Sequence, residues 1–277
     1  MPDIQLGFSQ QDITPDHSLQ TIGFGRPDEW SKGVLSPLYA QVSLWRSTNE
    51  TCLLITIDHI GFSKEHANNL RIKVGKVLNI SPEKVMLCFS HTHSAPNDDL
   101  APEYFSFVSE KIIAGVLEAS KNMENVYCAW DNAYTDIGIN RRSTSNLIDR
   151  RIGILKVSNP NSTAPKLILL RITAHNNVLK GDNYLISPDF FGSVRDLLQN
   201  EYDCPVMVTQ GASGNIAPKF FNSDLTPPDA ADDRFIRSSS ALEDIAQVIL
   251  KDVSPAIANL HPTAINGLSM YSIVSLT

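Results

Sequence analysis

The sequence VMLCFSHTHSAP, residues 85–96, joins five apolar residues to a segment with two histidines. The apolar part, 85–89, has the length and composition of a buried β-strand bounded by polar residues. Side chains alternate along an extended chain, so His91 and His93 are expected to point to the same side. Neutral imidazole binds zinc and exchanges protons near pH 7. The stretch therefore predicts a strand that delivers a metal or acid-base site to a sheet edge.

Two histidines at this spacing can also be loop residues that hydrogen-bond without any ligand. The neighbouring sequence favours a functional site, because hydroxyl residues alternate with the histidines and Asp98 and Asp99 follow them. Such groups can hold imidazole rings in a single tautomer, as they do around metal ligands. We interpret the segment as a functional site.

The rest of the chain alternates short apolar runs with amphipathic segments. Strands are predicted at 39–45, 52–57, 85–89, 152–157, 167–173 and 206–210. Helices are predicted at 64–78, 102–122, 189–200 and 234–250. This alternation predicts an α/β fold with a mixed central sheet flanked by helices on both faces. Residues 1–277 are expected to form a single domain, and no internal repeat is visible in the sequence.

Composition excludes several classes of function. The 277 residues carry a formal net charge of −7 and show no basic stripe, which argues against nucleic acid or an anionic membrane surface as the main partner. No apolar segment has the length of a membrane span, and no secretory signal follows Met1, so a cytoplasmic location is expected. The four cysteines lie far apart, as buried free thiols do. A homo-oligomer is compatible with this composition.

A further histidine follows a predicted strand in the same way as His91. The run 167–172 leads into Thr173-Ala174-His175. Taken alone, His175 is more typical of a capped loop residue than of a ligand. Zinc needs three or four ligands, and in a sheet these come from different strands. Together with His91, His175 is therefore a candidate metal ligand.

A glycine-rich turn follows the predicted strand 206–210. It reads QGASGNIAP, residues 210–218, and lacks the Lys-Ser/Thr ending of a phosphate loop. Glycine permits close approach of the backbone to a ligand, so exposed N–H groups can bind an anion or a developing oxyanion. The candidate substrate-binding residues of this turn are Gly211, Ala212, Ser213 and Gly214. A plain tight turn explains the segment equally well.

Other polar groups lie at the ends of predicted elements. Asp58 follows the apolar run 53–57, and Asn140 and Arg141 lie in a polar loop without nearby acids. An arginine near a metal can bind a carboxylate or carbonyl oxygen of a substrate, whereas a surface ion pair is the alternative. Asp189 is expected first at the N-terminus of a helix, and it can also support the site.

Several segments occur in the same order as in a known family: DITP at 12–15, LSPLYA at 35–40, HTHSAP at 91–96, NR at 140–141, AH at 174–175, ISPD at 186–189 and QGASGN at 210–215. Together they resemble the N-terminal domain of the neutral/alkaline non-lysosomal ceramidases and the wider bacterial ceramidase-like family. HTHSAP is similar to the family's His-Thr-His-Ser-Gly-Pro. The resemblance spans nearly the whole chain and implies a ceramidase N-terminal-domain fold.

The resemblance also implies a cofactor and residue roles. His91 and His175 would bind a zinc ion, His93 would lie beside the metal, and Arg141 would bind the substrate or the transition state. In ceramidases a zinc-activated water cleaves an N-acyl amide. The family's other zinc ligands, a glutamate and a tyrosine, lie downstream, and the chain is expected to stop at Thr277 before that region. Asp58 or a second polypeptide is then expected to complete the metal shell.

The sequence departs from the family at the glycine-rich turn. The family's Gly-Asp-x-Ser-Pro reads Gly214-Asn215-Ile216-Ala217-Pro218 here, so Asn215 replaces the acid and Ala217 the catalytic serine. The candidate catalytic residues are therefore His93, Arg141 and Asn215, with Asn140 beside Arg141 as a substrate-binding residue.

Three hypotheses follow from these observations. The first is a zinc-dependent hydrolase of an amide or related acyl bond in a small molecule, with water as the nucleophile. The second is a repurposed ceramidase-like catalyst of cyclisation, condensation or acyl transfer in a biosynthetic pathway. The third is a non-catalytic half of a two-chain enzyme, which the missing downstream ligands favour.

Overall fold

Two mixed β-sheets lie face to face at the centre of the fold. The computed structural model describes residues 4–26, 28–142, 145–225, 234–265 and 267–269. The first sheet consists of β1 (Gln5–Asp12), β2 (Tyr39–Arg46), β3 (Thr51–Ile57), β4 (Val85–Phe89) and β5 (Glu124–Asn125). Their order across the sheet is β4-β3-β2-β1-β5.

The remaining strands form the second sheet and two short ribbons. They are β6 (Tyr127–Tyr134), β7 (Gly138–Asn140), β8 (Arg151–Ser158), β9 (Leu167–Ile172), β10 (Val206–Gln210), β11 (Ile216–Pro218), β12 (Phe220–Phe221) and β13 (Ile236–Arg237). The second sheet has the order β10-β9-β8-β6, and the ribbons pair β7 with β11 and β12 with β13.

A pair of helices covers the outer face of each sheet. These helices are α1 (Lys64–Leu78), α2 (Pro102–Lys121), α3 (Asp189–Tyr202) and α4 (Ala241–Asn259). Apolar side chains of β2, β3 and β4 pack against α1 and α2, and those of β8, β9 and β10 pack against α3 and α4. The predicted helix 234–250 begins later and extends further than expected. Among the described residues, none of the helices combines the length and apolarity that crossing a bilayer requires.

A third apolar cluster lies between the two sheets. Its members include Leu6, Trp45, Val157 and Met207, which come from strands of both sheets. The predicted α/β class, with helices on both sides of a mixed β centre, is confirmed, and the centre consists of two sheets. The inner faces also bury polar groups: the Gln41 amide donates to the Val206 carbonyl at 2.9 Å and to Gln10 at the same distance.

The two halves of the fold have the same topology. In the first half, β1, β2 and β3 pair antiparallel, β4 joins β3 in parallel after α1, and α2 packs across β1 and β2. The second half repeats this pattern with β6, β8, β9, α3, β10 and α4. The structure therefore contains a repeat for which the sequence gives no sign.

Candidate metal centre

The site lies where the two sheets approach each other at one edge. The edge strands β4 and β10 are neighbours, and the amide of Gln210 at the end of β10 donates to the Ser90 carbonyl after β4 at 3.4 Å. His91 follows β4, and His175 follows β9, which pairs in parallel with β10. Since side chains that follow neighbouring strands collect beyond the strand ends, both histidines reach one place.

The structure brings His91, His93 and His175 together. One ring nitrogen from each lies within 4.8 Å of the other two. The Nε2 atoms of His93 and His175 are 3.0 Å apart, and the rings of His91 and His175 have their centroids 4.6 Å apart. These distances suit three imidazoles that face a common point.

Backbone carbonyls fix two of the three rings. Nδ1 of His91 donates to the Ile60 carbonyl at 2.7 Å, and Nδ1 of His93 donates to the Gly23 carbonyl at 3.1 Å. A carbonyl can only accept, so both rings carry their proton on Nδ1 and leave Nε2 as the ligand atom. His91 also has a left-handed backbone with φ 62°, and its N–H donates to the His59 carbonyl at 2.9 Å.

The histidine segment is tied to the loop before α3. The Thr92 hydroxyl donates to the Ser187 carbonyl at 2.7 Å, and the Ser187 N–H donates to the Ser94 carbonyl at 3.0 Å. Asn176, next to His175, donates from its side chain to the Pro188 carbonyl at 2.9 Å. The loop therefore links the segments that carry the histidines, and it holds one in place relative to the other.

The rings of His93 and His175 lie in an environment that opposes positive charge. Burial lowers the pKa of His93 to about 3, with His175 and His91 adding to the effect. Burial, followed by His91 and Arg141, lowers the pKa of His175 to about 4. Rings with these pKa values are neutral near pH 7, which is the form that binds a metal.

The donor set fits a zinc ion. His175 is 9% exposed, and its Nδ1 atom makes no hydrogen bond of normal geometry among the described residues. The backbone of Ser213 nevertheless interacts with this ring and raises its pKa slightly against the effect of burial. Two neutral rings with their Nε2 atoms 3.0 Å apart repel unless a proton or a cation lies between them. Three imidazole nitrogens around one point are the protein ligand set of many catalytic zinc sites.

Asp58 does not join the cluster of histidines. Its carboxylate accepts from Arg195 Nη1 at 2.8 Å and from the Tyr39 N–H at 2.9 Å, and it is 4% exposed. The carboxylate of Asp58 is therefore used by a buried ion pair, and Asp58, which was expected to be a metal ligand, supports the fold instead. Asp189 also has a structural position: it accepts from the N–H groups of Val178 and Leu179, which follow His175.

Arg141 lies on the His175 side of the site. Its N–H donates to the Asn215 carbonyl at 2.8 Å, and its Nη2 donates to the Gly214 carbonyl at 2.7 Å. Asn140 supports the loop by donating to the Leu147 carbonyl. These contacts join the predicted substrate-binding loop to the glycine-rich turn.

The glycine-rich turn is partly exposed beside the histidines. Ala212, Gly214 and Asn215 are exposed, whereas Ser213 is buried. The side chain of Asn215 accepts from Arg142 Nε at 3.0 Å, and Ala217 is buried in β11. Asn215 therefore positions an arginine, and Ala217 offers no polar side chain in this part of the turn.

Sequence reasoning missed the carbonyls that orient the rings. Backbone carbonyls such as those of Gly23 and Ile60 have no residue-specific signature. A signal was present only near Gly23, because Gly-Phe-Gly at 23–25 indicates an unusual backbone. Both glycines have positive φ, 126° at Gly23 and 59° at Gly25.

Gly23→Ala is expected to weaken zinc binding roughly 10–100-fold, as loss of a partner to a ligand does. A Cβ on Gly23 would lie 2.6 Å from Nδ1 of His93, so the ring must move and lose its hydrogen bond. Chelator competition measures the affinity. Gly25→Ala is the matched control, because a Cβ there meets none of the described residues within 4 Å. Equal losses in the two variants would contradict the assigned role of Gly23.

Low pH is expected to destabilise the protein through His59, which lies beneath the site. Its buried ring accepts from the Gly61 N–H and donates to the Pro96 carbonyl, so both nitrogens are used in the neutral form. Burial lowers the pKa of His59 to about 4, and Asp98 partly opposes this. The unfolded state, with a pKa of about 6.5, then binds the proton first.

The free energy of unfolding therefore falls as the pH drops from about 6.5 towards 4. Urea unfolding across this range measures the slope, which we expect to be shallower in His59→Gln than in the unchanged protein. A slope that the substitution leaves unaltered would mean that His59 does not take up the proton.

The described residues contain one other group with metal-ligand geometry: His66, Asp98 and Asp99. Here Nδ1 of His66 contacts Asp98 at 2.8 Å, and Asp98 also accepts from the Ser63 N–H at the start of α1. The ring of His66 stacks on Phe105 at 3.9 Å. These contacts account for the group as a helix-end support.

The fold and the site define an α/β protein with three convergent histidines, and comparison with solved structures agrees at the level of the fold. A crystal structure of neutral ceramidase from Pseudomonas aeruginosa matches 92% of this chain and 45% of its own, with a TM-score of 0.75 and 14% identity. The structure of a ceramidase complexed with C2 matches 92% of this chain and 44% of its own chain, with a TM-score of 0.79 and 14% sequence identity.

In sequence, the chain matches no protein-family profile. It also matches no curated protein. The chain thus has a ceramidase-like fold and spans less than half the length of these two solved chains.

Proposed function

We propose that this protein is a zinc-dependent hydrolase that cleaves an amide (N-acyl) or related acyl bond of a small molecule. The observation that carries the proposal is the convergence of ring nitrogens from His91, His93 and His175 within 4.8 Å. The similarity of the fold to two ceramidases supports the choice of an amide hydrolase.

The three histidines would hold the metal through their Nε2 atoms. The carbonyls of Ile60 and Gly23 keep the protons of His91 and His93 on Nδ1, so these rings need no rearrangement to bind. When bound, zinc would lower the pKa of a water molecule towards neutrality, and it would also polarise the carbonyl of an amide. His93 is thus proposed as a ligand, in addition to His91 and His175.

The groups around the histidines would bind and orient the substrate. Arg141 is exposed and held by the Gly214 carbonyl, which takes one of its five N–H donors. The other donors can bind an oxygen of the substrate. Ala212 and Gly214 of the adjoining turn are exposed, and their small size lets the backbone there approach a substrate closely.

Mass spectrometry of the products in ¹⁸O-labelled water tests the proposal. Zinc-loaded protein is incubated with a panel of N-acyl amides, and hydrolysis is expected to place one labelled oxygen in the released acid. The variant His91→Ala should lose this activity. Conversion without incorporation of label would instead support cyclisation or acyl transfer. Labelled acid formed equally well by His91→Ala would overturn the role of the histidines.

A further inference from the structure

The histidine site has two unlike sides, one apolar and one cationic. We infer that it takes N-acylated amino acids, with the apolar acyl chain on the Phe24 side and the free carboxylate at Arg141. This inference rests on the proposed amide hydrolysis and names its substrate class.

The apolar side begins at His93. The ring of Phe24 lies 5.1 Å from the ring of His93, centroid to centroid. Phe24 and Leu225 converge over Gly181, where an added Cβ would lie 3.8 Å from Phe24 Cβ and 3.9 Å from Leu225 Cδ1. Phe24 is half-buried and Leu225 is 54% exposed, so both present apolar surface to solvent.

The apolar side is held in place by Arg26. The guanidinium of Arg26 lies 5.5 Å from the Phe24 ring and 4.3 Å from the Tyr184 ring. It donates to the carbonyls of Gly181 and Asn183, which ties the Phe24 loop to the 181–184 loop. A surface fixed in this way binds an alkyl chain without first having to become ordered.

The cationic side lies at His175. Arg141 is anchored to the turn by the carbonyls of Gly214 and Asn215, and the next carbonyl of the turn, that of Ile216, accepts from the His175 N–H at 2.7 Å. A guanidinium beside neutral rings is suited to a carboxylate, which it can bind through two parallel hydrogen bonds.

An N-acyl amino acid matches both sides of the site. Its acyl chain extends from one side of the amide, and its carboxylate lies one carbon beyond the nitrogen on the other. In the reaction, water adds its oxygen to the acyl carbon, the C–N bond breaks, and the nitrogen leaves with a proton. The products are a carboxylic acid and a free amino acid. An acylated amino alcohol would give Arg141 no charged partner.

Two matched probes test the inference with zinc-loaded protein. N-decanoylglycine and N-decanoylethanolamine have the same acyl chain and differ in the carboxylate. We expect kcat/KM for N-decanoylglycine to exceed that for N-decanoylethanolamine about tenfold or more, because a hydrogen bond to a charged group is lost in the second probe. Arg141→Gln should abolish the preference while zinc content is retained. Arg150→Gln removes the same charge at an exposed pair with Asp136 and should keep the preference.

The apolar side is tested separately by N-acetylglycine and by Phe24→Ser. We expect the KM of N-acetylglycine to be higher than that of N-decanoylglycine, and we expect Phe24→Ser to raise the KM of N-decanoylglycine. Calorimetric binding of N-decanoylglycine serves as the readout that does not depend on turnover.

The outcomes separate this inference from the proposed function. Equal cleavage of the two decanoyl probes, unchanged by Arg141→Gln, overturns the inference and leaves the hydrolase in place. Binding of N-decanoylglycine that depends on Arg141 and Phe24, without any cleavage, supports the inferred ligand and overturns the hydrolase. If the protein neither cleaves nor binds either probe, the inference is overturned.

Discussion

Replacing His175 by alanine is expected to reduce the zinc content of the purified protein from about one equivalent to near zero. His175 contributes the Nε2 atom that lies 3.0 Å from Nε2 of His93, and it is the one of the three proposed ligands that follows a strand of the second sheet. Without it, two nitrogens from a single segment remain, and a pair of histidines holds zinc weakly. Elemental analysis after purification without chelator measures the metal directly.

Two histidine variants serve as controls. His261→Ala removes an exposed ring and should leave the zinc content unchanged. His66→Ala disrupts the other group with ligand geometry, and it should also retain about one equivalent. Zinc that persists in His175→Ala and disappears in His66→Ala would move the metal centre to the start of α1.

Arg195→Met is expected to lower the free energy of unfolding by about 3–5 kcal/mol, because it leaves a buried carboxylate without its partner. The side chains of Arg195 and Asp58 are each 5% exposed, and their contact of 2.8 Å joins α3 of the second half to the end of β3 in the first. Chemical denaturation at neutral pH measures the loss.

An exposed ion pair and a double variant test this explanation. Arg150→Met removes a partner of Asp136 at an exposed pair and should cost less than about 1 kcal/mol. Removing both charges with Asp58→Leu and Arg195→Met should cost less than Arg195→Met alone. Asp58→Asn should leave the zinc content unchanged, and loss of zinc in that variant would return Asp58 to the metal shell.

The convergence of His91 and His175 could be predicted from the sequence because each follows an apolar run. The local pattern places each histidine at a strand end, and the neighbouring edge strands β4 and β10 of the two sheets then bring these ends together. The environment of Asp58 could not be predicted in this way. Its partner Arg195 is 137 residues away, and nothing in either segment indicates the pairing.

The structure has two sheets where a single sheet was predicted, and the alternation of polar and apolar residues in β2 explains why the sequence did not reveal the second. Gln41 and Ser43 look like residues that face water, yet both are buried between the sheets and satisfied by hydrogen bonds. The strands β1 and β6 were missed for the same reason, since glutamine, asparagine and aspartate interrupt their apolar pattern. The cytoplasmic location, the oligomeric state and a second polypeptide remain predictions.

The matching topology of the two halves has a consequence for the origin of the site. Two copies of one β-β-β-α-β-α unit meet sheet to sheet, as the subunits of a homodimer of half-length chains would meet. His91 and His93 belong to one copy and His175 to the other. An ion bound by all three would then bridge an ancestral subunit boundary, and fusion of the duplicated unit would have freed each copy to change its loops independently of the other.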